Sequence, residues 1–207
     1  MKRAKILFVV ILMVFVSKTA GATQFEFMSF AGLRTGGHFS VTGEDFVKFS
    51  FDDGLAYGLT FGIVTRSNLQ VEFMWSREDS LLRASLLGGS GLELFDIHVD
   101  QYHLNFVIFL GDGMSRVQPY LLIGLGATYF DPKPAMSGET RFSWSLGGGV
   151  KVMFHDMVGL RFQAKWISTY INTSDYIFCD YWGWCYVLPL NQYMNQGEFI
   201  AGLVFRF

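Results

Sequence analysis

Charge is scarce in this chain. Charged residues make up 16% of its 207 positions, against about 25% in a typical soluble domain. The basic residues Lys2, Arg3, Lys5 and Lys18 fall before position 23, where there is no acid. The remainder holds 12 basic and 18 acidic residues, a net of −6. A mildly acidic chain gains nothing from counterion release on nucleic acid, which excludes that class of partner. Cysteine is rarer still. The two cysteines and four histidines show no zinc spacing. Beyond the N-terminus, long apolar runs are missing too. The most apolar stretch, "PYLLIGLGATYF", spans 12 residues and contains two glycines. A membrane-spanning helix needs about 20.

Apolar and aromatic residues are abundant nonetheless, at 51% and 17%. The chain opens "MKRAKILFVVILMVFVSKTAGATQ". Its charged start, the apolar run Ile6 to Val16 and the small-residue site Ala20-Gly21-Ala22 read as a secretory signal peptide over residues 1–22, removed on export. No cysteine follows that site directly, so lipid attachment is not expected. An exported chain that is lipid-like in composition but lacks spanning helices has one good option. Inside a bilayer only helices and closed barrels satisfy every backbone polar group.

Strand periodicity supports the barrel. Eight segments alternate: Gln24–Arg34, Gly54–Thr65, Leu69–Arg77, Ile97–Leu110, Gln118–Phe130, Thr140–Phe154, Val158–Tyr170 and Gln196–Phe207. In the last one Phe199, Ala201, Leu203, Phe205 and Phe207 share one face. Short links ("RSN", "GDGMSR", "HDM") follow the second, fourth and sixth segments, and long links follow the odd ones. The fold class expected is therefore all-β: an eight-stranded antiparallel up-and-down transmembrane β-barrel over residues 23–207, with its long loops outside. The last strand would close on the first and leave no edge. A soluble β-sandwich would turn polar faces to water, whereas here the large-residue face is Leu, Phe, Trp and Tyr throughout. The first segment carries Phe on both faces, and its orientation stays open.

The inward rows hold Glu26, Glu72, Lys151, Arg161, Lys165, Glu198 and Arg206. An eight-stranded barrel is just wide enough to be filled by side chains. Buried charges of both signs must then pair, and a plugging network is expected rather than a path for small ions. Catalytic constellations are thin. His38 and Ser40 match the His-x-Ser of lipid A deacylase barrels but sit in the first loop. Asp96 and His98 match half of an omptin-type site but lack the paired aspartates. "GLGATY" has Tyr129 where a dinucleotide fingerprint has glycine. No catalysis and no cofactor are expected.

Cys179 and Cys185 bracket "FCDYWGWCY" in the last outer loop. In an oxidising compartment a disulfide is expected there, stabilising the loop by about 2 kcal/mol. Tyr181, Trp182 and Trp184 lie between them. They form either a contact patch for lipopolysaccharide or a surface partner, or part of the aromatic girdle at the membrane interface.

The stretches "QPYLLIGLGATYF", "FSWSLGGGVKVMFHDMVGLRFQAKW" and "FIAGLVFRF" resemble the small outer-membrane barrels of the OmpA, OmpX and opacity-protein type. The resemblance implies an outer-membrane location among lipid and lipopolysaccharide. It also implies that terminal Phe205 and Phe207 are read by the outer-membrane assembly machinery. No cell-wall-binding domain is expected after the barrel. The role implied is structural or surface-interactive and non-catalytic. The alternatives are a channel for small or hydrophobic solutes and, further off, a lipid A-modifying enzyme.

Overall fold

A computed structural model describes residues 24–41, 47–66, 68–86, 92–111, 115–132, 138–171, 178–179, 185–186 and 192–207. The expected signal peptide and residues 180–184 of the last outer loop lie outside the described residues. The strands are β1 (Gln24–Thr35), β2 (His38–Val41), β3 (Val47–Phe51), β4 (Gly54–Arg66), β5 (Leu69–Leu86) and β6 (Leu92–Phe109). They continue with β7 (Val117–Pro132), β8 (Glu139–His155), β9 (Val158–Ile171), β10 (Phe178–Cys179), β11 (Cys185–Tyr186) and β12 (Gln192–Arg206).

Eight of these close a barrel. In the order β1, β4, β5, β6, β7, β8, β9, β12, each strand pairs antiparallel with the next. The ring shuts between β12 and β1, where Glu26 lies opposite Arg206 and Thr35 opposite Gly197. From Gly197 to Phe205, β12 is thus paired on both edges, with β9 and β1, the condition for lying in hydrocarbon.

Alternation then sorts the side chains. Leu121, Ile123 and Leu125 of β7 are about half exposed on the outside, while Tyr120 and Leu122 are buried within. On β4, Leu55, Leu59 and Phe61 face out, and Ala56 and Thr60 face in. The open orientation of the first strand is now fixed. Glu26, Met28, Phe30 and Arg34 point inward, and Phe25 and Leu33 point outward. Phe30 faces the interior because it belongs to an apolar cluster with Met28, Met74, Ile200 and Val204.

Small residues give the long interior side chains room. A Cβ on Gly62 would lie 2.3 Å from Gln70 Nε2, and one on Gly149 would lie 2.5 Å from the Tyr120 hydroxyl. These positions are narrow because a long neighbour crosses them.

The outer end differs from the sequence expectation. The third and fourth barrel strands were expected to stop near Arg77 and to begin at Ile97, with a long loop between them. Instead β5 runs on to Leu86 and β6 begins at Leu92, leaving only residues 87–91 as the link. The first outer loop is also largely strand. β2 pairs with β3, and β3 pairs with the top of β5. At the step from β1 to β2, Gly36 adopts a left-handed φ of 63° that favours glycine. Its N–H donates to Asp53 Oδ1 at 2.7 Å, tying the two rising arms together. Strands β2, β3, β5 and β6 thus form a four-stranded antiparallel sheet that rises from one side of the barrel.

Candidate functional site

The interior is a stack of ion pairs. At the end nearest the chain terminus, Glu26 accepts from Lys151 Nζ at 2.8 and 3.0 Å and lies 2.8 Å from Arg206 Nη2. Lys151 also lies 4.2 Å from the centre of the Phe109 ring, a cation–π contact. In the middle, Arg161 donates to both oxygens of Glu72, at 2.5 and 3.2 Å. Its remaining donors reach the Tyr120 hydroxyl at 2.7 Å and Gln163 Oε1 at 2.6 Å. Asn105 completes Glu72 at 3.1 Å.

Towards the outer end, Glu198 is held from three strands. Arg34 Nη2 of β1 lies 2.5 Å from Oε2, Ser76 of β5 donates to the same oxygen at 3.1 Å, and Lys165 of β9 lies 3.1 Å from Oε1. Arg34 spans further to Glu78 at 3.3 Å. All seven charged residues assigned to the interior from the alternation lie on inward rows, and each has an oppositely charged partner. Arg34 and Glu78 complete the network and were not among them. Arg34 was hidden by the Phe and Met that share its inward row. Glu78 lay one residue beyond the expected end of its strand.

Such an interior is filled. A buried charge needs a partner and further hydrogen bonds to offset desolvation, and Glu72, Arg161 and Glu198 have both. Among the described residues no group of three His, Cys, Asp or Glu side chains could hold a metal ion. His98, half of the weak protease-like match, faces outward with Nδ1 2.5 Å from Asp79 Oδ1.

The outside of the barrel records where it meets lipid. Trp144 and Trp166 pack edge to face at 5.3 Å, and Tyr170 and Tyr193 lie 5.3 Å apart. Exposed Tyr57 and Tyr102 continue this outer aromatic belt on the other side. Just beyond it, the outward-facing Asp100 accepts from Arg77 Nε at 2.8 Å and Nη2 at 2.7 Å, and from Trp75 Nε1 at 3.2 Å. An outward ion pair at this level marks the end of the hydrocarbon zone. At the opposite rim, exposed Phe154, Met157 and Phe207 form the other boundary.

In the last outer loop, Cys179 and Cys185 are register partners in the β10–β11 ladder. Tyr181, Trp182 and Trp184 lie outside the described residues. Phe205 stands opposite Phe27, and Phe207 bonds to the backbone of Phe25.

A closed antiparallel ring with lipid-facing Leu and Phe, aromatic belts and a paired polar interior defines an integral β-barrel of the bacterial outer membrane. The chain belongs to the outer membrane protein beta-barrel domain family, whose model matches residues 6–207. Comparison with curated proteins gives no sequence match. Several solved structures share the fold. Neisserial surface protein A has a TM-score of 0.57 at 17% identity, covering 88% of this chain and 97% of that one. The outer membrane protein OprG of Pseudomonas aeruginosa has a TM-score of 0.59 at 15% identity, covering 89% and 95%. The N-terminal β-barrel domain of Pseudomonas aeruginosa OprF has a TM-score of 0.51 at 11% identity, covering 89% and 97%.

Proposed function

We propose that this barrel is non-catalytic and works through its outer end, as a structural and surface-contact protein of the envelope. The observation that carries this reading is the contrast between the two parts of the molecule. The bore is occupied by Glu26–Lys151, Glu72–Arg161 and Glu198–Arg34 pairs, which leaves little room for hydrophilic passage. The outer end is instead elaborated, with β2, β3 and the long arms of β5 and β6 built above the aromatic belt. Loops carried on a rigid scaffold are where binding residues concentrate.

The contact partners proposed are lipopolysaccharide and a surface partner met through the last outer loop. Tyr181, Trp182 and Trp184 supply the aromatic area, and a Cys179–Cys185 disulfide holds the loop. Directly opposed residues of an antiparallel ladder have Cα atoms about 4.5–5.5 Å apart. That lies within the roughly 4.4–6.8 Å a disulfide accepts, and the register of β10 with β11 supports the pairing.

Planar-bilayer recording tests the reading. The purified barrel should give no steady ion conductance above the lipid baseline, while a strain lacking it should show altered surface attachment or detergent sensitivity. A steady ohmic current that disappears on enlarging Gly149 inside the bore would overturn the reading in favour of a small-solute channel.

A further inference from the structure

The outer aromatic belt is not uniform around the barrel. On the β5–β6 side it ends in charge, with Arg77 and Asp100 paired. On the β8–β9–β12 side the outward residues at the belt are uncharged. Register sets Trp144 opposite Ser168. It also sets Tyr170 opposite Tyr193, Ser168 opposite Asn195 and Trp166 opposite Gly197. Aromatic rings thus surround two polar side chains, Ser168 and Asn195. Ser168 stands on the outward row, between the inward Ile167 and Thr169, yet is only 2% exposed. The neighbouring rings therefore close over it. Trp144 and Trp166 hold each other edge to face at 5.3 Å, and Tyr170 and Tyr193 lie 5.3 Å apart. Rings packed in pairs over a covered serine form a fixed surface rather than independent anchors.

Beside these rings the surface has a notch. Gly197 places no side chain next to Trp166 on one flank or Thr35 on the other. A Cβ there would lie 3.0 Å from Thr35 Oγ1 and 3.8 Å from the Phe199 ring. Thr35 Oγ1 donates to the Gly197 carbonyl at 3.4 Å, which fixes the hydroxyl at the edge of the notch. Trp166, 46% exposed, is its aromatic wall, and the exposed Asn195 stands on its outer side. Acyl chains cover such a surface poorly, because hydrocarbon satisfies neither the two donors nor the carbonyl of the Asn195 amide. Bulk water also covers it poorly, because it leaves the rings of Trp166, Phe199 and Tyr193 wet. A sugar ring meets both demands. Its C–H faces lie against the negative faces of aromatic rings, while its hydroxyls reach an amide and a threonine. The lack of a cationic side chain in the notch points away from a phosphate.

We propose that the Gly197 notch, walled by Trp166 and flanked by Asn195 and Thr35, binds the uncharged sugar ring of an outer-leaflet glycolipid headgroup. Its height fixes the source. The aromatic belt stands where the headgroups of the outer leaflet begin, so a lipid-borne sugar reaches the notch without leaving the membrane. The site lies on the barrel wall, apart from the last outer loop, and stands whether or not that loop has a partner.

The test places the full chain, isotope-labelled at its tryptophan indoles, in phosphatidylcholine nanodiscs and adds deep-rough lipopolysaccharide as probe. The Trp166 indole N–H reports the notch. Trp75, which donates to Asp100, reports the opposite side of the belt, and Trp182 and Trp184 report the last loop. The Trp166 signal should move to saturation while Trp75 stays in place. Asn195→Leu should raise the midpoint about tenfold, and Tyr102→Leu across the barrel should leave it unchanged. Gly197→Val fills the notch and should abolish the shift. Heat-modifiable mobility checks that each variant is folded, and Asn195→Leu, on the exposed surface, carries the test should Gly197→Val fail to fold. Phosphatidylglycerol, which brings acyl chains and a phosphate without a sugar, should not saturate Trp166. The proposal fails if phosphatidylglycerol acts like lipopolysaccharide, if Trp75 and Trp166 move together in proportion to added lipid, or if only Trp182 and Trp184 move. A soluble glucosamine disaccharide that saturates Trp166 at the same concentration or below would place the ligand in the external medium and overturn it equally.

Discussion

Phe207 and Phe25 exchange both of their backbone hydrogen bonds, Phe207 N–H to the Phe25 carbonyl at 2.9 Å and the reverse at 3.1 Å. The barrel is therefore zipped to its last residue, with the Phe207 ring 71% exposed at the rim. A lysine facing lipid near an interface costs only about 0–1 kcal/mol. Phe207→Lys should accordingly refold in detergent almost as well as wild type. In cells it should accumulate poorly, the outcome expected from the resemblance to small outer-membrane barrels whose terminal aromatic is read by the assembly machinery. Heat-modifiable mobility in the two settings separates the effects, and a wild-type yield of folded protein in cells would remove the terminal Phe as a signal.

Glu198 is the interior group with most to lose. Glu198→Gln removes the carboxylate that Arg34 and Lys165 share, and leaves Lys165 with Met74 Sδ at 3.3 Å as its remaining close contact of this kind. Breaking a buried pair from one side costs about 3–5 kcal/mol. The double variant Glu198→Gln with Lys165→Met should recover part of that, since the orphaned cation is gone. Urea denaturation in detergent measures both. Equal stability of the double and single variants would mean that Lys165 is not energetically tied to Glu198.

The barrel was legible in the sequence because lipid imposes one rule on every strand that crosses it. Outward Leu and Phe against inward Gly, Ser and Gln recur from β4 to β12, so both faces and the closure are legible in the sequence. The rule failed in two places, for physical reasons. On β1, Met28 and Phe30 fill an apolar pocket within the bore, so the inward row ceased to look polar and Arg34 went unseen. On β5 beyond Arg77 the apolar residues of the sequence shift to the other set of alternating positions. By the lipid rule the segment reads as loop, although "VKFSF" and "LLRASL" keep a period of two. Partners of interior charges were legible only as sets, because a barrel brings residues such as Arg34 and Glu198 together across most of the chain's length.

The outward Arg77–Asp100 pair should matter more than its neighbour Asp79–His98. The Asp100 side chain is 3% exposed beneath Arg77 and Trp75, whereas that of Asp79 is 59% exposed. Arg77→Ala leaves a nearly buried carboxylate with the Trp75 N–H, a loss of about 1–3 kcal/mol. Asp79→Ala removes a solvent-screened pair, worth about 0–1 kcal/mol. Detergent denaturation of the two variants should rank them in that order, and the reverse order would contradict the placement of Asp100 beneath its cap.

Enlarging Gly149 tests how tightly the bore is filled. A Cβ there meets the Tyr120 hydroxyl at 2.5 Å and the Phe162 carbonyl at 2.0 Å. Tyr120 in turn accepts from Arg161 at 2.7 Å, so displacing it disturbs the central Glu72–Arg161 pair. Gly149→Val should cost at least the ~1–3 kcal/mol of overpacking. Gly111, with nothing within 4 Å of an added Cβ, is a site where only backbone strain is at stake, since its φ is 148°. A neutral Gly149→Val would mean that the interior can shift around Tyr120, and that the bore is looser than its ion pairs imply.

The last loop offers a test that separates its fold from its role. The opposed register of Cys179 and Cys185 predicts that the two thiols pass their protons and electrons to a disulfide oxidant of the export compartment and join. The oxidised chain should weigh two hydrogens less than the reduced one and resist alkylation until reductant is added. A closed loop of this size contributes only about 2 kcal/mol. Reduction should therefore leave heat-modifiable mobility of the barrel intact. Its effect should appear in binding, because Trp182 and Trp184 lose a rigid frame, and rigid aromatics bind with little entropy loss. Tryptophan fluorescence titrated with lipopolysaccharide reads this against Trp75, Trp144 and Trp166, which the Trp182→Ala, Trp184→Ala double variant isolates as background. Wild-type affinity should fall on reduction, and the double variant should bind weakly whether reduced or oxidised. Equal affinity in all four states would assign those rings to the membrane girdle.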